Sequence, residues 1–278
     1  TYTSWDEVLA HPRPVTHTAL DTGIGNLPKA MLLRSDHQTI ATYVDDGVPI
    51  TIYAHLLQFP DREPWLVDSG LDGTFDSGGN ARGITGAVVT FISRDLMGFD
   101  IVATPGQGVE EQLAERGIDG VAGVMFTHMH LDHTGGLQAL GNPPIYSGRG
   151  EADDVAHLLG VGHLWDHTWV TEWDWDRAVD MPPLGRAIDV FGDNSLWAID
   201  TAGHTTGHTS YLVNSEDGAV LLTGDACHMQ WGWEHTVGPF AYDSSQEPMG
   251  QQALERLQAF AAAHPDVTVW FGHQPPLP

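Results

Sequence analysis

At 278 residues, with 41% hydrophobic side chains, 32 Gly and 17 Pro, the chain is long enough for a sizeable core and too apolar to be disordered or fibrous. Acidic residues outnumber basic ones 37 to 11, for a formal net charge of −26, and Lys29 is the only lysine. Such a surface repels phosphate backbones and anionic lipid, which argues against nucleic-acid and membrane partners, and no apolar run is long enough to span a bilayer. The single cysteine, Cys227, rules out an internal disulfide, reads as a small buried residue and fits a cytoplasmic setting. The chain begins at Thr1 and not at Met, which leaves a removed leader open.

Residues 1–47 carry Pro12, Pro14, Pro28 and the Gly23-Ile-Gly25 pair and read as an irregular, extended arm. Strand-like runs follow at Ile50–Leu57 and Trp65–Val67, ending in Asp68-Ser-Gly70, and then a loop rich in Gly, Asp and Ser over 71–86. Gly108–Arg116 has a short helical pattern stopped by Gly117. The apolar stretch Val121–Phe126 reads as a buried strand and leads into Thr127-His-Met-His-Leu-Asp-His133.

That heptapeptide offers four metal ligands, His128, His130, Asp132 and His133. Imidazole and carboxylate are donors that a borderline divalent metal accepts. In extended chain His128 and His130 point the same way, and the following Thr-Gly-Gly permits a turn that brings in Asp132 and His133. Two adjacent metal positions are the natural reading, weighed against loop or core histidines in a chain with 16 of them.

Residues 157–176 hold four tryptophans and three histidines, an insertion that serves either as core packing or as an aromatic cover over a cleft. Further strands are expected at Leu196–Ile199, at a Ser210–Val213 and Ala219–Leu222 hairpin, and at Val267–Phe271, with an amphipathic helix over Pro248–Ala263. These strands end in Gly plus His or Asp, which adds His204, Asp225 and His273 to the candidate ligands.

The motifs Val67-Asp-Ser-Gly70, Thr127–Gly136, Ala202-Gly-His-Thr-Thr-Gly-His208, Thr223-Gly-Asp225 and Phe271-Gly-His273 resemble, in order, those of the metallo-β-lactamase superfamily. The resemblance implies an α/β fold, the αββα sandwich of two mixed β-sheets flanked by helices, as one domain over 1–278 with its core at 48–278. It implies two divalent ions, with zinc expected and iron, manganese or cobalt compatible. His128, His130 and His204 would hold one ion, Asp132, His133 and His273 the other, and Asp225 would bridge them. Asp68 would orient ligands from behind, and His208 would support the site without binding metal.

The implied chemistry is hydrolysis by a hydroxide shared between the ions. His130 stands where redox relatives carry Glu, the stretch after Asp225 is short for a glutathione-binding domain, and Asp225 itself counts against a true β-lactamase. Pro105–Asp119 and the long arm look most like the N-acyl homoserine lactone lactonase branch, which implies a lactone or ester substrate, quorum quenching and a homodimer built on the arm. A phosphotriesterase or aryl-ester hydrolase is the alternative on the same site. A non-catalytic metal-binding protein is the reading of a different class. The lactonases carry Tyr three residues after the bridging Asp; His228 stands there, so Asp132, Asp225 and His228 form the expected catalytic set, with His228 offered as donor to the leaving oxygen. The tryptophan-rich segment 163–175, with Phe240 or Tyr242, is expected to line an apolar pocket.

Overall fold

Leu56 and Leu57 are adjacent and fully buried, yet they pack in different cores. Leu56 joins Leu20, Leu66, Val124 and Phe126. Leu57 joins Val67, Met125, Tyr211, Val213 and Leu222. Successive side chains of a strand point to opposite faces, so one strand feeds an outer layer and an inner one.

The computed structural model describes residues 2–34, 48–75, 100–141, 143–153 and 170–276. Among these, β1 (Thr16–Leu27), β2 (Val48–Gln58), β3 (Trp65–Val67), β4 (Asp100–Val102), β5 (Val124–Met125), β6 (Ile145–Ser147) and β7 (Val170–Glu172) form one sheet, in the order β4-β1-β2-β3-β5-β6-β7. Its β4 to β3 half is antiparallel and its β3 to β7 half parallel. The second sheet has β8 (Val179–Met181), β9 (Gly185–Asp189), β10 (Leu196–Asp200), β11 (Thr209–Val213), β12 (Val220–Leu222) and β13 (Thr268–Trp270), in the order β13-β12-β11-β10-β9-β8. Only its β12–β13 pair is parallel.

The α-helices among the described residues are α1 (Trp5–Leu9), α2 (Val109–Glu115), α3 (Leu131–Thr134), α4 (Gln230–His235) and α5 (Glu247–Ala263). Helix α2 lays Val109 and Leu113 on the outer face of the first sheet. Helix α5 lays Leu257 and Phe260 on the outer face of the second, beside Trp5 and Val8 of α1. The fold is the expected αββα sandwich of two mixed sheets. No helix is long and apolar enough to cross a membrane among the described residues.

Two expectations need correction. The irregular arm contains α1, capped by Ser4 accepting from the Glu7 amide, and the 12-residue β1, which pairs with both β2 and β4. Its periodicity is hard to see because a register shift between Asp21 and Gly23 interrupts the alternation. In the tryptophan-rich insertion, residues 154–169 lie outside the described residues. Trp173 and Trp175 are buried with Tyr211 between the sheets, so these two are core and not a cover over a cleft.

The inner layer also holds a polar pair. His17 Nε2 on β1 lies 3.0 Å from His55 Nδ1 on β2, both edge-on to Trp270. Burial lowers His17 from 6.5 to about 4, and burial together with His17 lowers His55 well below its ordinary value. The folded chain keeps these rings neutral where the unfolded chain protonates them. The loss of stability that His17 contributes begins as pH falls through about 6.5 and is complete below about 4. His17→Gln should remove about 1–3 kcal/mol of the stability lost between neutral pH and that lower limit. Urea midpoints across this range check it, and an unchanged acid limb would contradict it.

Candidate metal centre

Every candidate ligand stands just beyond the end of a strand. After β5 the chain bends at Thr127 and passes through His128 to His130, an extended residue that is the N-cap of α3, which sets Asp132 and His133 in that short helix. The turn therefore comes at Leu131, earlier than the Thr-Gly-Gly of 134–136. His204 follows β10, Asp225 lies in a single helical turn after β12, and His273 follows β13. Because β12 and β13 are parallel neighbours, Asp225 and His273 leave the same sheet edge together. Gly272 makes that approach possible, since a Cβ there would overlap Asp225 Oδ1.

The seven candidates fall into two groups, His128, His130, His204 and Asp225 in one and Asp132, His133 and His273 in the other, each with one donor atom per residue within 4.8 Å of the rest. In the first, His130 Nδ1 lies 2.9 Å from His128 Nε2 and 3.1 Å from His204 Nε2. In the second, Asp132 Oδ2 lies 3.4 Å from His273 Nε2 and 3.9 Å from His133 Nε2. Asp225 Oδ2 faces both, at 3.7 and 3.6 Å from His128 and His204 and at 3.6 and 3.3 Å from His133 and His273.

The opposite ring nitrogens are anchored, which fixes the atoms that face inward. His133 Nδ1 donates to Asp68 Oδ2 at 2.8 Å, His204 Nδ1 to the Phe240 carbonyl at 2.6 Å, and His273 Nδ1 to the Thr51 carbonyl at 3.0 Å. In the neutral ring each Nε2 is thereby left as a lone-pair donor. Asp68 also accepts from the Thr127 amide and hydroxyl at 2.7 and 2.9 Å. It does so from a left-handed backbone conformation, φ 58°, unusual for a residue with a side chain. The two carbonyls leave no trace in a sequence, since any residue type can present one.

Burial lowers His204 to about 4 and, with neighbouring imidazoles, holds His128 and His208 well below the ordinary histidine value. Burial opposes the charged form of His133 and His273 too, but Asp68, Asp225 and Asp132 outweigh it at His133, and Asp225 and Asp132 at His273. Asp225 is held well below the carboxylate range, because His228, His273 and His133 overcome its burial. Within the described residues, His133 Nε2 and Asp225 Oδ1 are buried with no hydrogen-bond partner. Inward lone pairs at about 3 Å and buried unsatisfied donors are what divalent cations satisfy, so the residues fit such ions.

His208 is buried behind His128, with Nδ1 on the Thr201 hydroxyl. His228 is buried, with Nε2 3.1 Å from Asp225 Oδ2 and its ring stacked on His273. Tyr242 stays 42% exposed, its ring edge-on to His130 at 5.6 Å. Burial pushes the Cys227 thiol up to about 12, which removes it as a nucleophile.

A sandwich of helix-covered sheets whose strand ends deliver two adjoining sets of imidazole and carboxylate donors defines a candidate metal centre. The chain belongs to the metallo-beta-lactamase superfamily, whose family model matches residues 48–273. It is similar to the N-acyl homoserine lactonase AttM of Agrobacterium fabrum, 29% identical over 186 residues, 61% of this chain and 65% of that one. That match spans less than two thirds of the relative's length. An N-acyl homoserine lactonase of a Bacillus species is 26% identical over 252 residues, 86% of this chain and 88% of that one. Among solved structures, an N-acyl homoserine lactone hydrolase with N-hexanoyl-L-homoserine at its catalytic metal centre gives a TM-score of 0.68. The match covers 94% of this chain and 93% of that one at 19% identity, a likeness of fold.

Asp68→Asn should keep the left-handed backbone, which Asn tolerates, while freeing His133 to turn or change tautomer. Divalent-metal affinity measured by calorimetry should fall about 10- to 100-fold, and an unchanged affinity would remove Asp68 from the site's support.

Proposed function

We propose that this chain hydrolyses a lactone ring, of the N-acyl homoserine lactone type, with two divalent ions, zinc by preference, held as the two donor groups suggest. The observation that carries the reading is Asp225 Oδ2, which faces both groups at 3.3–3.7 Å. Similarity to two lactonases supports the substrate class. Such ions supply a water that ionises near neutral pH and a positive pole for the carbonyl oxygen.

The chain's own residues do the rest. Asp225 joins the two groups and keeps them in register. Asp132, the more accessible of the two carboxylates with 14% of its side chain exposed against 3% for Asp225, takes up the proton released as water adds to the carbonyl carbon. The ring C–O bond then breaks, and that proton passes to the leaving alkoxide to give the hydroxy acid. His228, at 3.1 Å from Asp225 Oδ2, holds the bridging carboxylate. In this position it is a support more than a donor to the leaving oxygen.

The apolar rim supports an acylated substrate. Among the described residues, the large apolar side chains that remain exposed are Ile24, Tyr242 and Met249. Ile24 pairs with Thr51, whose carbonyl holds His273; Tyr242 packs on His130; Met249 adjoins the Gly203 backbone beside His204.

The test is a panel on metal-loaded protein of acyl homoserine lactones of graded chain length, aryl phosphotriesters and β-lactams. Lactones should dominate, with kcat/KM rising up to about fourfold per methylene while the chain gains apolar contact. Asp225→Asn should cost at least about 10²-fold in lactone turnover. A dominant phosphotriester rate, or lactone turnover intact in Asp225→Asn, would overturn the reading.

A further inference from the structure

Glu151 is fully buried and lies in the turn that follows β6, outside both donor groups. Its Oε1 accepts from the amide of Met129 at 2.9 Å. Its Oε2 accepts from the Thr205 hydroxyl at 2.7 Å and from the Gly207 amide at 2.9 Å. Met129 stands between His128 and His130, and Thr205 follows His204. One carboxylate therefore ties together the two loops that carry all three imidazoles of the first group. The backbone of 203–208 comes close enough only because residue 207 is glycine, since a Cβ there would lie 2.6 Å from Glu151 Cβ.

Direct pairing reaches the two loops at their strand ends, where the Thr209 amide donates to the Thr127 carbonyl at 2.8 Å and the Tyr211 hydroxyl to the Phe126 carbonyl at 3.0 Å. Glu151 ties them further out, at Met129 and Thr205. The loops come from different sheets, β5 in one and β10 in the other, and 74 positions of sequence separate His130 from His204. Hydrogen bonds to a buried carboxylate are short and strong, and they fix both partners at once. Asp68 serves the second group in the same way through His133, so the two acids divide the site between them.

We infer that Glu151 is a positioning residue for the first ion, setting the distance between the His128–His130 segment and His204. The inference rests on the two-ion reading above. Glu151→Gln isolates the effect, because an amide offers one acceptor oxygen where the carboxylate offers two. The Thr205 hydroxyl can rotate to accept from the new amide, but the Met129 and Gly207 N–H groups cannot both be satisfied.

Titrating the metal-free full chain with Co(II), followed by visible absorption and chelator competition, resolves the two equivalents. In Glu151→Gln one equivalent should bind about 10- to 100-fold more weakly with an altered visible spectrum, while the other stays within about twofold of wild type. Thr205→Val removes one of the two donors on the His204 side and should weaken the same equivalent by less, which tests the inference even if Glu151→Gln folds poorly. Two equivalents bound as in wild type, with an unchanged spectrum, would overturn the inference alone. Equal weakening of both, with a lower urea midpoint of the metal-free protein, would make Glu151 a general structural residue and overturn it too. A wild-type chain that takes up no Co(II) would overturn the two-ion reading itself.

Discussion

Asp225 Oδ2 lies between 3.1 and 3.7 Å from ring nitrogens of His128, His133, His204, His228 and His273, and all five rings are buried. Protons cannot satisfy such an assembly. Protonating every ring would bury several like charges together, and leaving them neutral strands lone pairs against lone pairs. The architecture concentrates an electrostatic difficulty at one carboxylate, of a kind that divalent cations would relieve. The sheets, the strand-end loops and the buried acids behind them serve to keep that difficulty in place.

Rigidity comes from anchors remote in sequence. Thr51 on β2 fixes His273, the Phe240 carbonyl fixes His204, and Asp68 fixes both Thr127 and His133. The inward nitrogens of His133, His204 and His273 are each defined by an outward hydrogen bond, so these donors are organised before any ion arrives. The strained backbone at Asp68 shows that the fold tolerates a local cost there to keep one oxygen on His133 and both on Thr127. The same logic places two carboxylates in the interior, Glu151 with backbone and hydroxyl donors and Asp68 with those of Thr127 and the His133 ring.

Much of this was legible from residue types. The His128–His133 run, and His or Asp after successive strands, pointed to converging donors, and all seven converge. The helix over Pro248–Ala263 and the 210–222 hairpin followed from period and turn residues and lie where expected. Strand β1 was hidden because its register shift breaks the alternation, and β6 to β9 were missed because three to five residues are too few to establish a period. Ser4 with Glu7 is a readable start signal for α1. Glu151 and the carbonyls of Thr51 and Phe240 could not have been found, because a hydrogen bond across the fold leaves no local pattern. For Trp173 and Trp175, composition alone could not choose between a cover and a core; burial between the sheets decides it.

The bond between His273 Nδ1 and the Thr51 carbonyl joins residues 222 positions apart. Its consequence concerns how the molecule comes into being. The second donor group cannot exist until β13 has docked beside β12 and the sheets have closed on each other, so any metal held by that group would be captured late in folding. Contacts of such long sequence separation form slowly, and until they form the His128–His133 segment is a loose chelator without its partners. The order of events during biosynthesis is therefore written into the topology: closure first, full metal complement second.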